Sequence, residues 1–168
     1  MPTRRLLLIR HAKAAAGPVD AARPLTGRGE RQAAALRSWL EQAGLAPDGA
    51  LVSPARRAAQ TWELAGAPLV PALWPIVDRR LYDNTVEALL AAIRETPDDV
   101  ATLAVVGHNP SIGELAGVLD DGRGSPAARR DVEAGCPTGA TAVFDLATPF
   151  DEIAPGAATL TAFTAPGH

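Results

Sequence analysis

Two histidines of the 168-residue chain stand where aliphatic runs end: His11 closes LLLIRH, and His108 closes ATLAVVGH. Arg10 adjoins the first, and Ser53, Arg56 and Arg57 follow a third short apolar run at 50–52. Arginines and a helix N-terminus meeting at one point make an anion site, and the guanidinium fork suits phosphate best. At about 4 Å and an effective dielectric of about 20, each such charge pair is worth roughly 4 kcal/mol before desolvation. An imidazole among those cations is disfavoured as a cation itself, so its pKa should fall. Neutral, it offers a lone pair, which is the equipment of a nucleophile in phosphoryl transfer.

Blander roles suit most other polar residues. One of Arg56 and Arg57 belongs to a solvated helix face, and Lys13, the sole lysine, is expected to be exposed. Asp20 and Arg23 can form a loop ion pair of little worth, while Asp83, Glu87 and Glu114 read as solvated or capping carboxylates. Trp39 and Trp62 fall at helical spacing and suit the core or its edge. Other chemistries fit less well. Cys136 is followed by PTGATA with no arginine six residues on, so a cysteine phosphatase loop is absent. No loop ends in Gly-Lys-Ser/Thr, and no histidine pair stands at i, i+4 for zinc. A metal site built from His11, His108 and Asp20 would be opposed by the neighbouring arginines.

Positioning such residues takes a folded core. The chain suits one domain, 1–168, with 47% hydrophobic and 21% charged residues, and a domain this size buries roughly 70% of its unfolded surface. A net charge of −3 gives no general reason to bind nucleic acid or an anionic membrane. Arg4 and Arg5 before a short apolar run faintly resemble a signal peptide, but Arg10 ends the run too soon for that or for a membrane span. The lone Cys136 suits a reducing compartment, and a cytoplasmic protein is expected.

Strands are expected at 4–10, 50–52 and 101–106, with at most a short one near Ile76 and Val77, because short aliphatic runs flanked by charge typify a sheet covered on both faces. Two closing strands at 140–146 and 157–163 suit antiparallel pairing. Thr26 is placed to cap a helix with the stripe Ala33, Leu36, Leu40 and Ala43, stopped by Gly44. Ser53-Pro54 and Asn109-Pro110 read as caps followed by a first-turn proline, opening helices to about Ala65 and Leu119. A further helix covers Thr85 to Arg94, and the charged, Gly- and Pro-rich stretch 120–138 reads as a mobile loop. Alternating strands and helices predict an α/β sheet, with ligands beyond the carboxyl ends of its strands. The three suspicious clusters sit at those exits.

RHAKA at 10–14 resembles the signature of the histidine phosphatase superfamily. DAARPLTGRGERQA (20–33), SPARRAAQT (53–61), VVGHNPSI (105–112) and PTGA (137–140) resemble its small branch, the phosphohistidine phosphatases of the SixA type. The resemblance implies a mostly parallel, phosphoglycerate mutase-like sheet without a cap domain, and neither a metal nor an organic cofactor. It makes His11 the phosphoryl-accepting nucleophile, Arg10 and Arg57 the phosphate clamps, Arg56 the variable neighbour, and His108 the second histidine. Larger relatives carry an asparagine where Gly17 stands. Their proton-donating carboxylic acid has two candidates here, Asp20 and Asp83. The short connection between the Arg57 helix and Thr85 leaves the site open, which favours a phosphorylated protein, with phosphohistidine first, over a small phosphate ester.

Overall fold

The computed structural model describes residues 3–167. Strand β1 (Arg4–Arg10) lies at its heart, with Leu6, Leu7 and Leu8 fully buried and Ile9 2% exposed. Burying one such side chain contributes about 1.5–3 kcal/mol. Both faces of β1 are covered, so all four residues are apolar rather than alternating with polar ones.

The six-stranded sheet has the order β3-β2-β4-β1-β5-β6. Strands β2 (Gly49–Val52), β3 (Ile76–Val77) and β4 (Thr102–Gly107) run parallel to one another and to β1. Strand β5 (Thr141–Leu146) returns antiparallel on β1, and β6 (Thr159–Thr164) pairs antiparallel with β5. Successive strand residues point to opposite faces. Leu7, Ile9, Val52 and Val106 therefore meet helices α1 (Gly27–Ala43) and α2 (Arg56–Ala65). Leu6, Leu8, Leu51 and Val105 meet the other layer: the one-turn helix α3 (Arg80–Asp83), α4 (Val86–Arg94), α5 (Ser111–Leu119) and α6 (Pro126–Ala134). This is the single-domain α/β architecture expected, and only a short turn, β3 and α3 lie between α2 and α4, with no cap domain.

Several local expectations hold. Thr26 caps α1 by accepting a hydrogen bond from the Gly29 amide, and Gly44 ends that helix at φ 68°. Others need correction. Ala43 is exposed, so the buried stripe of α1 ends at Leu40. Ser53 does not cap α2, whose first turn begins at Arg56 without a side-chain cap; its hydroxyl is engaged elsewhere. Asn109 caps nothing in the usual way: α5 begins at Ser111, and the Asn109 Oδ1 accepts from Gly113. Nor is 120–138 an irregular loop, because Ser125 caps α6, with Pro126 in its first turn. The Gly and Pro residues there mark the edges of a short, mostly exposed helix, which itself carries Arg129, Arg130, Asp131 and Glu133.

Candidate active site

All four parallel strands end on one edge of the sheet. Arg10 pairs with Gly107 at the ends of β1 and β4, and Val52 pairs with Val106. The His11 amide donates to the Gly107 carbonyl (3.0 Å) and the Ser53 amide to the Val106 carbonyl (3.0 Å), so the three strand exits are tied together by backbone. The turn at Thr138–Ala140 closes over them. Gly139, at φ 79°, donates its amide to the carbonyls of both Arg10 and His11. A side chain there would be strained.

Beyond His11 the chain is held by polar side chains from both helices of the α1/α2 layer. Thr61 Oγ1 accepts from the Ala12 amide (2.9 Å) and donates back to the Arg57 carbonyl (2.7 Å). Gln32 accepts from Lys13 and Gln60 from Leu25. A Cβ on Gly29 would lie 2.0 Å from the Lys13 carbonyl, so only glycine lets α1 approach this loop.

These supports frame a cavity of about 420 Å³ lined by Arg10, His11, Arg57 and His108 together with Lys13, Asp20, Arg23, Tyr82, Asn84 and Asn109, among others. The two imidazoles are 8% and 4% exposed, their ring centroids 5.1 Å apart. His11 Nδ1 lies 2.7 Å from the Ala12 carbonyl. A carbonyl only accepts, so Nδ1 carries the proton and the lone pair falls on Nε2. Burial first, then the cations Arg57, Arg10 and Arg23, hold the His11 pKa down to about 4. Burial likewise pushes His108 down to about 3, aided by His11 and Arg57. Both rings are neutral at physiological pH.

Arg57 is 6% exposed whereas Arg56 faces solvent, which settles which of the pair turns inward. Its guanidinium donates to the Asp20 carbonyl (2.8 Å) and to Asp20 Oδ2 (3.1 Å). Tyr82 also donates a short hydrogen bond to that carboxylate, and Arg23 pairs with its other oxygen. The Tyr82 and Arg57 hydrogen bonds hold the Asp20 pKa at about 2. Arg10 donates to the Cys136 carbonyl (3.1 Å), and desolvation lowers its pKa. Among the described residues the buried Nε atoms of Arg10 and Arg57 find no partner. Donors left unpaired beside a cavity are what an oxyanion would complete.

Asp83 does not join this group. It is exposed at the end of α3 and lies outside the cavity lining, while its neighbours Tyr82 and Asn84 line it. Asn84, in the left-handed conformation that ends α3, ties that helix to α5 through the Asn109 carbonyl (2.7 Å) and the Ser111 amide (3.1 Å). Tyr82 packs its ring edge-on to His108, with centroids 5.6 Å apart. Sequence reasoning missed Tyr82, Asn84 and Asn109; only Asn109, inside the VVGHNPSI stretch, carried a signal. Among the described residues no group of three or more His, Cys, Asp or Glu side chains is placed to hold a metal ion. No helix among them is long and apolar enough to cross a membrane.

The chain and its fold are similar to those of known proteins. The profile of the histidine phosphatase superfamily (branch 1) matches residues 6–88. An uncharacterized protein of Mycobacterium tuberculosis (strain H37Rv) is 37% identical over 161 residues, 94% of this chain and 99% of that one. Phosphohistidine phosphatase SixA of Escherichia coli K12 is 31% identical over 131 residues, 73% of this chain and 78% of that one. A solved structure of a proposed phosphohistidine phosphatase, SixA from Nakamurella multipartitia, superposes with a TM-score of 0.86 at 29% identity, covering 99% of this chain and 98% of that one. The fold is phosphoglycerate mutase-like. The chain belongs to the histidine phosphatase superfamily, and its enzymatic class is that of a phosphatase.

The depressed histidine pKa values carry a signed expectation. An NMR titration of the His11 ring in the free enzyme should have its midpoint near 4 rather than near the unperturbed 6.5. Between those values the unfolded chain binds a proton that the folded chain does not. Stability should therefore fall as pH drops from about 6.5 towards about 4. A midpoint near 6.5 with a flat melting temperature would contradict this reading of the site.

Proposed function

We propose that the enzyme hydrolyses phosphohistidine on a phosphorylated protein, through a phosphohistidine intermediate on His11. Nε2 of His11 attacks phosphorus and forms a P–N bond as the substrate's own P–N bond breaks. The oxygens of the transferring group are held by Arg10, Arg57 and His108. Water then attacks the phosphoenzyme, releasing inorganic phosphate and restoring neutral His11. Arg57 can offer its unpaired Nε to the phosphoryl group while its NH1 and NH2 stay on Asp20, which holds the guanidinium in place.

The observation that carries the choice of substrate is the state of Asp20. Among the described residues it is the sole carboxylate lining the cavity, and its hydrogen bonds keep it ionised down to about pH 2. A general acid must carry a proton at working pH, and its help matters most for a basic leaving group. An alkoxide needs that proton; a phosphohistidine whose ring is already protonated departs as neutral imidazole and brings its own. The open rim, with Asp20 54% and Tyr82 38% exposed, admits a side chain presented by a protein.

Rates over a series of phosphate esters test this. Without an enzymic donor, the wild type should slow steeply as the leaving group becomes more basic, and Asp20→Asn should slow alkyl and nitrophenyl phosphates by similar factors. If Asp20→Asn impairs alkyl esters selectively, Asp20 is the donor and a small-ester phosphatase becomes the better reading. The same selectivity in Asp83→Asn would move the role to Asp83.

A further inference from the structure

Ser53 is fully buried at the exit of β2, and its hydroxyl lies 2.7 Å from His108 Nε2. The same oxygen accepts a longer hydrogen bond, 3.3 Å, from the Ala55 amide. The other ring nitrogen of His108, Nδ1, is buried with no partner among the described residues. A hydroxyl has one proton to give and two lone pairs, whereas a neutral imidazole has one N–H and one lone pair. Two arrangements are therefore open. If Nε2 carried the proton, it would donate to Ser53. The hydroxyl proton would then lack an acceptor among the described residues, and the Nδ1 lone pair would lack a donor. If Ser53 donates to Nε2 instead, only the Nδ1 proton is left over. Buried polar groups are rarely left unpaired, so the second arrangement, with one orphan rather than two, is favoured. His108 lines the cavity, so a phosphoryl oxygen bound there is the acceptor that orphan calls for.

We infer that Ser53 is a positioning residue that fixes the tautomer of His108, holding its proton on Nδ1 as a hydrogen-bond donor to the transferring phosphoryl group. A phosphoryl oxygen only accepts, so the opposite tautomer would set a lone pair against it. This role also accounts for the failure of Ser53 to cap α2. The catalytic consequence rests on the phosphatase mechanism proposed above; the tautomer does not.

Long-range proton–nitrogen correlation spectra of the full chain, labelled with nitrogen-15 histidine, read the tautomer directly at neutral pH. The expected result for His108 is a protonated Nδ1 and an unprotonated Nε2. Ser53→Ala should shift the ring towards the Nε2-protonated form, leave the His11 signals in place, and lower kcat/KM for nitrophenyl phosphate roughly 10-fold or more, up to the ~10²–10³ of a lost oxyanion donor. Ser53→Thr, which keeps the hydroxyl, should restore both tautomer and rate. A wild-type His108 protonated on Nε2 overturns the assignment, whatever the variants do. Unchanged turnover in a folded Ser53→Ala chain overturns its catalytic consequence. The expected tautomer in a wild type that turns over no phosphate would instead reject the proposed mechanism and leave the tautomer standing.

Discussion

Replacing His11 by alanine should abolish turnover and, with it, all covalent phosphoryl label on the protein. In the proposed mechanism the nucleophile is Nε2 of His11, whose lone pair is left free by the Ala12 hydrogen bond and kept unprotonated by burial among cations. A covalent intermediate splits one hard displacement into two easier ones, and no step of that path survives without the nucleophile. Phosphorus–nitrogen bonds to imidazole persist in alkali and break in acid. Label trapped by a base quench should therefore map to His11 and vanish on acidification. Acid-stable label on a serine, or full activity in His11→Ala, would show that another group attacks phosphorus.

Arg57→Ala should lower kcat/KM by about 10²–10³-fold, the size seen when a donor to developing negative charge is removed. Arg56→Ala should change it only slightly. Adjacent residues on a helix point roughly 100° apart, and Arg56 is exposed while Arg57 is buried against Asp20. Steady-state kinetics on a nitrophenyl ester give both numbers, and the reverse ranking would mean the inward arginine is misassigned. A chelator should leave wild type and Arg56→Ala active. Activity lost to the chelator and restored by a divalent ion would revive a role for metal.

How much of this was readable in advance depended on how local the cause was. The aliphatic runs before His11 and His108 announce strands covered on both faces, and strand exits in such sheets are where sites form, so the clusters were visible without a structure. Helix phase limited Arg56 and Arg57 to one inward residue, and the motif chose Arg57. What stayed hidden was set by contacts between distant residues. Tyr82 meets Asp20 across 62 positions, and nothing near Tyr82 in the chain marks it as a site residue. Ser53 looks like a helix cap by local rules; its hydroxyl serves His108 instead, 55 residues away. Asp83 and Asp20 were equal candidates until folding placed one in solvent and the other on the cavity rim. Helix α6 was misread because it is short and largely exposed, leaving little apolar periodicity to find.

The most direct test of the substrate claim compares kcat/KM of the wild-type enzyme for a phosphohistidine-bearing protein with that for an alkyl phosphate under one set of conditions. With Asp20, the one carboxylate that lines the cavity among the described residues, held ionised by Tyr82 and Arg57, the enzyme should favour phosphohistidine by several orders of magnitude, roughly the 10²–10⁴-fold that general acid catalysis supplies or more. Alkyl phosphate turnover equal to or faster than that of phosphohistidine would contradict the account.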